Sequence, residues 1–255
     1  MKTLIRYATL GLAAVALSAT CSAADPAPAV DPAATQILKR MSDYLNSLKQ
    51  FSANTQGTLE KTNATGHRID LDVSAHAIIS RPNKLYAERR GDLLDQNFHY
   101  DGKTLTLCNP VNKVYATVPA PPTIDGTMDY ARGILDLYIP IGDLIYSNCY
   151  PLLMQDVTSA TVVGKAVIGG IKCDHLLFVR PGVDFQVWVA DSGKPLPYKY
   201  VVTDTTYPQL LSISTVLSDW NVASSEPDSK FTFVPPKGAQ PISFMPFNTT
   251  ASTDR

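Results

Sequence analysis

Between residues 123 and 156 the chain changes its period. On either side, apolar and polar residues alternate in short runs separated by turn signals; inside, apolar residues recur at helical spacing. Ile124, Met128, Ala131, Leu135 and Tyr138 stand at i, i+4, i+7, i+11 and i+14, one face of a helix. Thr123 is placed to cap it, and Asp125 in the first turn suits the helix dipole. Pro140 fits the first position of a second short helix carrying Ile141, Leu144 and Ile145, and Pro151 that of a third with Leu152, Leu153 and Met154. An apolar helical insert between two strand blocks has to lie on a sheet. The pattern leaves open whether it plugs a core or closes a ligand cavity.

The clearest strand is 67–80. Ile69, Leu71, Val73, Ala75, Ala77 and Ile79 share one face, with Arg68, Asp70, Asp72, Ser74 and His76 on the other. Before it, Asp31-Pro32 starts a helix with Ile37, Leu38, Met41, Leu45 and Leu48 on its apolar side, and 51–60 alternates as a strand. Strands at 85–90, 97–100, 103–108 and 113–118 follow as a meander, turned at Asp101-Gly102 and Asn109-Pro110. Beyond the insert come 161–168, 171–180, 184–190, 198–204 and 210–220, with Phe231-Thr232-Phe233 as a last short strand. Leu176 and Phe178 point one way, Leu177 and Val179 the other, so that strand needs cover on both faces or borders a cavity. About eleven strands with few helices predict a mainly antiparallel α+β fold, one strongly curved, unclosed sheet over residues 25–247.

The N-terminus bears on compartment. Lys2 and Arg6 precede an apolar run, 7–19, too short to span a bilayer comfortably, and Ser22-Ala23-Ala24 offers small residues for cleavage after Ala23 or Ala24. Residues 1–24 therefore read as a secretory signal, and lipid anchoring through Cys21 is the weaker reading because Ser18-Ala19-Thr20 is a poor lipobox. The tail 248–255 is polar and expected to be disordered. A formal net charge of −1 gives nothing to attract nucleic acid, and a soluble monomer is expected. Export permits disulfides, and Cys149 with Cys173 is the expected pair, its loop closure contributing about 3 kcal/mol; Cys108 is left as a buried thiol.

Catalytic constellations are scarce. There is no HExxH, GxSxG, CxxC, P-loop or GxGxxG arrangement, and His67, His76, His99 and His175 fall on different strands without ligand spacing, so no metal or cofactor is expected. Cys173-Asp174-His175 suggests a thiol nucleophile, yet its surroundings are apolar and nothing evident orients the imidazole. The expectation is a non-enzymatic protein. Arg81 is the useful exception to pattern. It continues the apolar series 69–79, so its guanidinium is directed to the apolar side, or else it snorkels at the rim as Pro82 ends the strand; pattern alone favours the rim.

Arg81-Pro82-Asn83, then Asp101-Gly102-Lys103-Thr104-Leu105 with Asn109-Pro110, then the run from Phe231-Thr232-Phe233 through Pro235-Pro236 to Gly238, stand in that order after a helix ending near Phe51. This ordered set resembles the LolA/LolB/RseB superfamily of periplasmic lipoprotein-handling proteins. Within it, the chain looks like a family of predicted periplasmic proteins of unknown function. The resemblance implies a half-barrel with helices as a lid over an apolar cavity for acyl chains, and an arginine, here Arg81, that holds the lid from inside.

The site expected on this reading comprises Arg81, the strand residues Leu71, Val73 and Ile79, and the insert residues Ile124, Met128, Leu135, Leu144, Ile145 and Leu153. Gly126 and Gly133 would weaken the lid helix by up to ~1 kcal/mol each relative to alanine. The implied function is binding of a hydrophobic or acylated ligand, as a lipid or lipoprotein carrier. The alternative is an RseB-like regulatory module that binds a protein of the inner or outer membrane.

Overall fold

Asp31 opens the first helix by accepting the Ala33 amide at 2.8 Å, and α1 (Pro32–Ser47) buries Ala34, Leu38, Met41 and Leu45. The computed structural model describes residues 29–92, 95–137, 139, 141–223 and 225–244; the expected signal segment, the tail, Tyr138 and Pro140 lie outside them. The strands are β1 (Gln50–Thr62), β2 (Arg68–Ser80), β3 (Lys84–Gly91), β4 (Gln96–Tyr100), β5 (Thr104–Asn109) and β6 (Val114–Pro119). After the insert come β7 (Ser159–Ile168), β8 (Ile171–Arg180), β9 (Val183–Ala190), β10 (Pro197–Asp204), β11 (Ser212–Asn221) and the two-residue β12 (Gln240–Pro241).

All twelve join one unclosed sheet in the order β12-β6-β5-β4-β3-β2-β1-β11-β10-β9-β8-β7. Every pairing is antiparallel except that of β12 with β6. Two meanders are thus joined by one long-range pairing, β1 with β11, in which Gly57 faces Thr215. Phe231-Thr232-Phe233 is not a strand. Phe231 follows a 3-10 turn (Asp228–Lys230) and is buried against Ile78 and Tyr86, so its apolarity anchors the C-terminal segment to the outer face.

The helices cover the other, inner face, over two clusters. One lies under α1 and α3 (Cys149–Met154), with Leu176, Phe178, Phe185 and Val187 from β8 and β9. The second lies under α2 (Ile124–Gly133) and holds Phe51, Ile79, Tyr100 and Leu105. The insert is more broken than its periodicity predicts. Thr123 does cap α2, accepting the Gly126 amide at 3.1 Å, but the helix ends at Gly133, short of Leu135. Glycine tolerates helix ends better than helix interiors, and the chain turns there. A 3-10 turn (Gly142–Ile145) follows, and α3 begins at Cys149 with Pro151 already inside its first turn.

The expected Cys149–Cys173 disulfide is absent, and both residues are buried free thiols. Cys149 belongs to the inner cluster under α1, whereas Cys173 packs on the outer face with Trp188 and Val201. Strand alternation explains this: Cys173 has the opposite parity to Leu176 and Phe178, whose side chains enter the inner cluster. The sheet separates the two sulfurs. His175, on the same outer side, stacks on Trp188 at 4.0 Å and pairs with Gln186 at 2.8 Å. That arrangement orients the ring by packing and leaves the thiol in an apolar pocket.

Candidate functional site: an apolar cavity beneath the insert

Cross-strand register divides the inner face of β1 to β5 into rows. The first row, Phe51, Ile79, Leu85, Tyr100 and Leu105, consists of large side chains. The next, Ala53, Ala77, Ala87 and Phe98, is mostly methyl groups. Beyond it come Thr55, Ala75 and Arg89, then Gly57, Val73 and Gly91. Shortening side chains between two bulky layers leaves space, because the insert above is held at the height of the first row. A cavity of about 110 Å³ results, floored by these rows and roofed by Ile124, Met128, Ala131, Ile139 and Ile145.

Polar contacts fix the roof at its edges. Arg81 donates from Nη1 to the Ile145 carbonyl at 3.0 Å and from Nη2 to the Tyr146 carbonyl at 3.1 Å. Its guanidinium also lies over the Phe51 ring, 5.7 Å from the centroid. Burial lowers the Arg81 pKa from its ordinary value, opposed by the nearby Asp125 carboxylate. Asp125 accepts the Ser147 amide at 2.8 Å, so the start and the middle of the insert are tied together. Arg132 pairs with Asp143 at 2.7 Å, and Tyr146 donates to Asp129 at 2.6 Å. Burial and that hydrogen bond push the Tyr146 phenol up to about 12, so it stays a donor at physiological pH.

The turn residues near Arg81 hold the start of the insert. The Ile124 amide donates to the Pro82 carbonyl at 2.9 Å, and Tyr100 donates to the Pro121 carbonyl at 2.6 Å. Gly102, at φ 92°, sits so close to Asn83 that an added Cβ would fall 2.7 Å from its amide nitrogen. Asp101 accepts the Lys103 and Thr104 amides at 2.9 and 2.8 Å, closing that turn. The Arg81-Pro82-Asn83 and Asp101-Gly102 motifs are therefore neighbours in space, and together they hold the corner where the insert begins.

Of the residues expected at the site, Val73, Ile79, Ile124, Met128 and Ile145 line the cavity. Arg81 binds the roof from its edge. Leu135 packs against the cluster beneath α2 without lining the space, and Leu144 and Leu153 enter the cluster under α1 instead. Leu71 is one row past Val73 along β2, about 7 Å further on, and is half-buried outside the lining. Sequence reasoning missed Leu85, Ala87, Phe98, Tyr100 and Leu105. Alternation in β3 could have paired Leu85 with Ala87, but nothing local says that their face is the cavity's.

Among the described residues, no three His, Cys, Asp or Glu side chains gather as a metal site, and no helix is long and apolar enough to cross a membrane.

An open antiparallel sheet with helices over one face is an architecture that this chain shares with solved structures. The uncharacterized conserved protein from Thermus thermophilus superposes with a TM-score of 0.50 at 12% identity, covering 83% of this chain and 99% of that one. The lipoprotein LppX of Mycobacterium tuberculosis gives 0.46 at 16%, covering 76% and 98%. A LolA superfamily protein from Nitrosomonas europaea gives 0.40 at 12%, covering 78% and 97%. No curated protein matches. The chain belongs to the family described as "Predicted periplasmic protein (DUF2092)", whose model matches residues 34–245. That description agrees with the secretory signal expected over residues 1–24.

Proposed function

We propose that this protein is a non-enzymatic periplasmic carrier that binds the hydrocarbon chain of a hydrophobic or acylated ligand beneath the helical insert, which acts as a lid. The observation that carries this reading is the lined but unfilled apolar space between the alanine row and the insert, about 110 Å³. An apolar cavity of about 150 Å³ suffices for benzene. The closed cavity is therefore too small for a long acyl chain, and uptake requires the insert to rise. Burying a dozen methylenes would contribute about 10 kcal/mol gross, more than enough to offset the loss of a few hydrogen bonds at the lid's edge.

Arg81 suits the role of latch. It holds two backbone carbonyls at the middle of the insert, and its own Nε is buried without a partner among the described residues. A buried cation with one unmet donor is a marginal clasp, which favours release as well as retention. The test is extraction of the protein under native conditions followed by lipid mass spectrometry. Stoichiometric acyl lipid supports the carrier reading. Absence of lipid, together with co-purification of a stoichiometric membrane protein, would point to the regulatory alternative.

A further inference from the structure

The cavity wall changes character along the strands. Arg89 is the one charged residue in the lining among the described residues, and it shares its face of β3 with Leu85 and Ala87. Its row runs Arg89, Ala75, Thr55 across β3, β2 and β1, with Thr215 on β11 in the adjoining row beside Gly57. Strands lie about 4.8 Å apart, so roughly 10 Å separates the backbones at Arg89 and Thr55, with one methyl group between them. Gly57 keeps this end open, since a Cβ there would stand 3.1 Å from Thr215 Oγ1 and 3.3 Å from Val73 Cγ1.

Both threonines line the cavity, and among the described residues neither hydroxyl has a hydrogen-bond partner. Thr215 is nonetheless buried. Its hydroxyl keeps some accessible surface, so a polar group that enters the cavity can pair with it. Arg89 is engaged within the chain as well. A guanidinium has five N–H donors, so a second partner does not require loss of the first, and its planar fork matches a carboxylate. At the opposite end Ile79, Ile124 and Met128 present hydrocarbon, and the hydroxyls of Tyr100 and Thr127 are both turned to the Pro121 carbonyl.

We infer that the ligand is an acyl chain with a free carboxylate, its head held by Arg89 with Thr55 and Thr215 and its tail lying over the alanine row. This rests on the cavity reading above and narrows it, because an esterified or amide-linked chain would bring no charge to the arginine. A charge-assisted pair of this kind favours the acid over its neutral ester about ten- to hundredfold.

The experiment is fluorescence titration of the exported chain with cis-parinaric acid and with its methyl ester, above the carboxylate's titration range. The acid is expected to bind ten- to hundredfold tighter than the ester. Arg89→Gln should lower the affinity for the acid far more than that for the ester, so that the preference collapses. Thr215→Val, which keeps the guanidinium and the side-chain volume, should reduce the preference severalfold and serves if Arg89→Gln fails to fold. Equal binding of acid and ester by the unsubstituted protein overturns the head-group assignment alone. A parallel loss of both affinities in Arg89→Gln would mean that Arg89 only shapes the wall, and also overturns it. Binding of neither probe removes the cavity reading and this inference with it.

Discussion

Arg81 Nη1 donates to the carbonyl of Ile145 at 3.0 Å, clasping the residue after β2 to the end of the insert's 3-10 turn. The neighbouring bond to Tyr146, at 3.1 Å, makes the clasp two-pronged. Leucine at position 81 would fill similar space and leave both carbonyls unanswered. Arg81→Leu should therefore weaken the insert locally by about 1–3 kcal/mol while sparing the sheet. Hydrogen exchange is the check: amides of α2 and α3 should exchange roughly ten- to hundredfold faster, with β8 and β9 unchanged. Equal protection in both proteins would remove Arg81 from the role of latch.

The turn at Asp101-Gly102 should matter for stability out of proportion to its exposure. Gly102→Ala places a side chain at φ 92° and against Asn83, and should cost about 1–3 kcal/mol in denaturant unfolding. A neutral result would mean that the turn relaxes freely and does not hold the corner.

Asp101 also supplies a pH dependence. Desolvation raises its pKa, but hydrogen bonds from Thr104 and Lys103 outweigh this and hold it below the ordinary carboxylate value of 3.8. A depressed folded-state pKa contributes stability that is fully present above the unfolded value and lost as pH falls through the folded one. Asp101→Ala should thus be less stable at neutral pH by about 1–2 kcal/mol, with the gap narrowing below about pH 4. Urea melts across that range give the comparison; a gap that widens on acidification contradicts the assignment.

Cys108, Cys149 and Cys173 are all buried, and burial pushes each thiol up in pKa. Thiol titration of the purified chain, denatured without reductant, should count all of these cysteines as free. Native protein should react far more slowly, since neither access nor thiolate is available. A count reduced by two after denaturation would restore a disulfide that the sheet is here placed between.

Much of the fold was legible because it rests on local periodicity. The alternation Ile69 to Ile79 and the caps at Asp31 and Thr123 act within a few residues, and the structure follows them. What was not legible depends on non-local pairing. Ala77 and Ala87 look unremarkable in sequence, and only the β2–β3 register puts them side by side as a floor. Leu144 and Leu153 have the same helical spacing as Met128, yet which of two clusters each enters depends on where α1 lies. The disulfide expectation failed differently. The parity of Cys173 against Leu176 was already in the sequence, and it places that sulfur on the face away from the insert.

On the proposed function, the space over the alanine row receives a hydrocarbon chain. Ala87→Phe fills that space from below without touching Arg81 or the strand ladder. Equilibrium titration with a fluorescent fatty acid should give saturable, stoichiometric binding to the unsubstituted protein. The Ala87→Phe variant, shown by thermal melting to be folded, should lose at least tenfold in affinity. Undiminished binding by the filled variant, or no binding by the unsubstituted protein, would mean that this space receives no hydrocarbon chain.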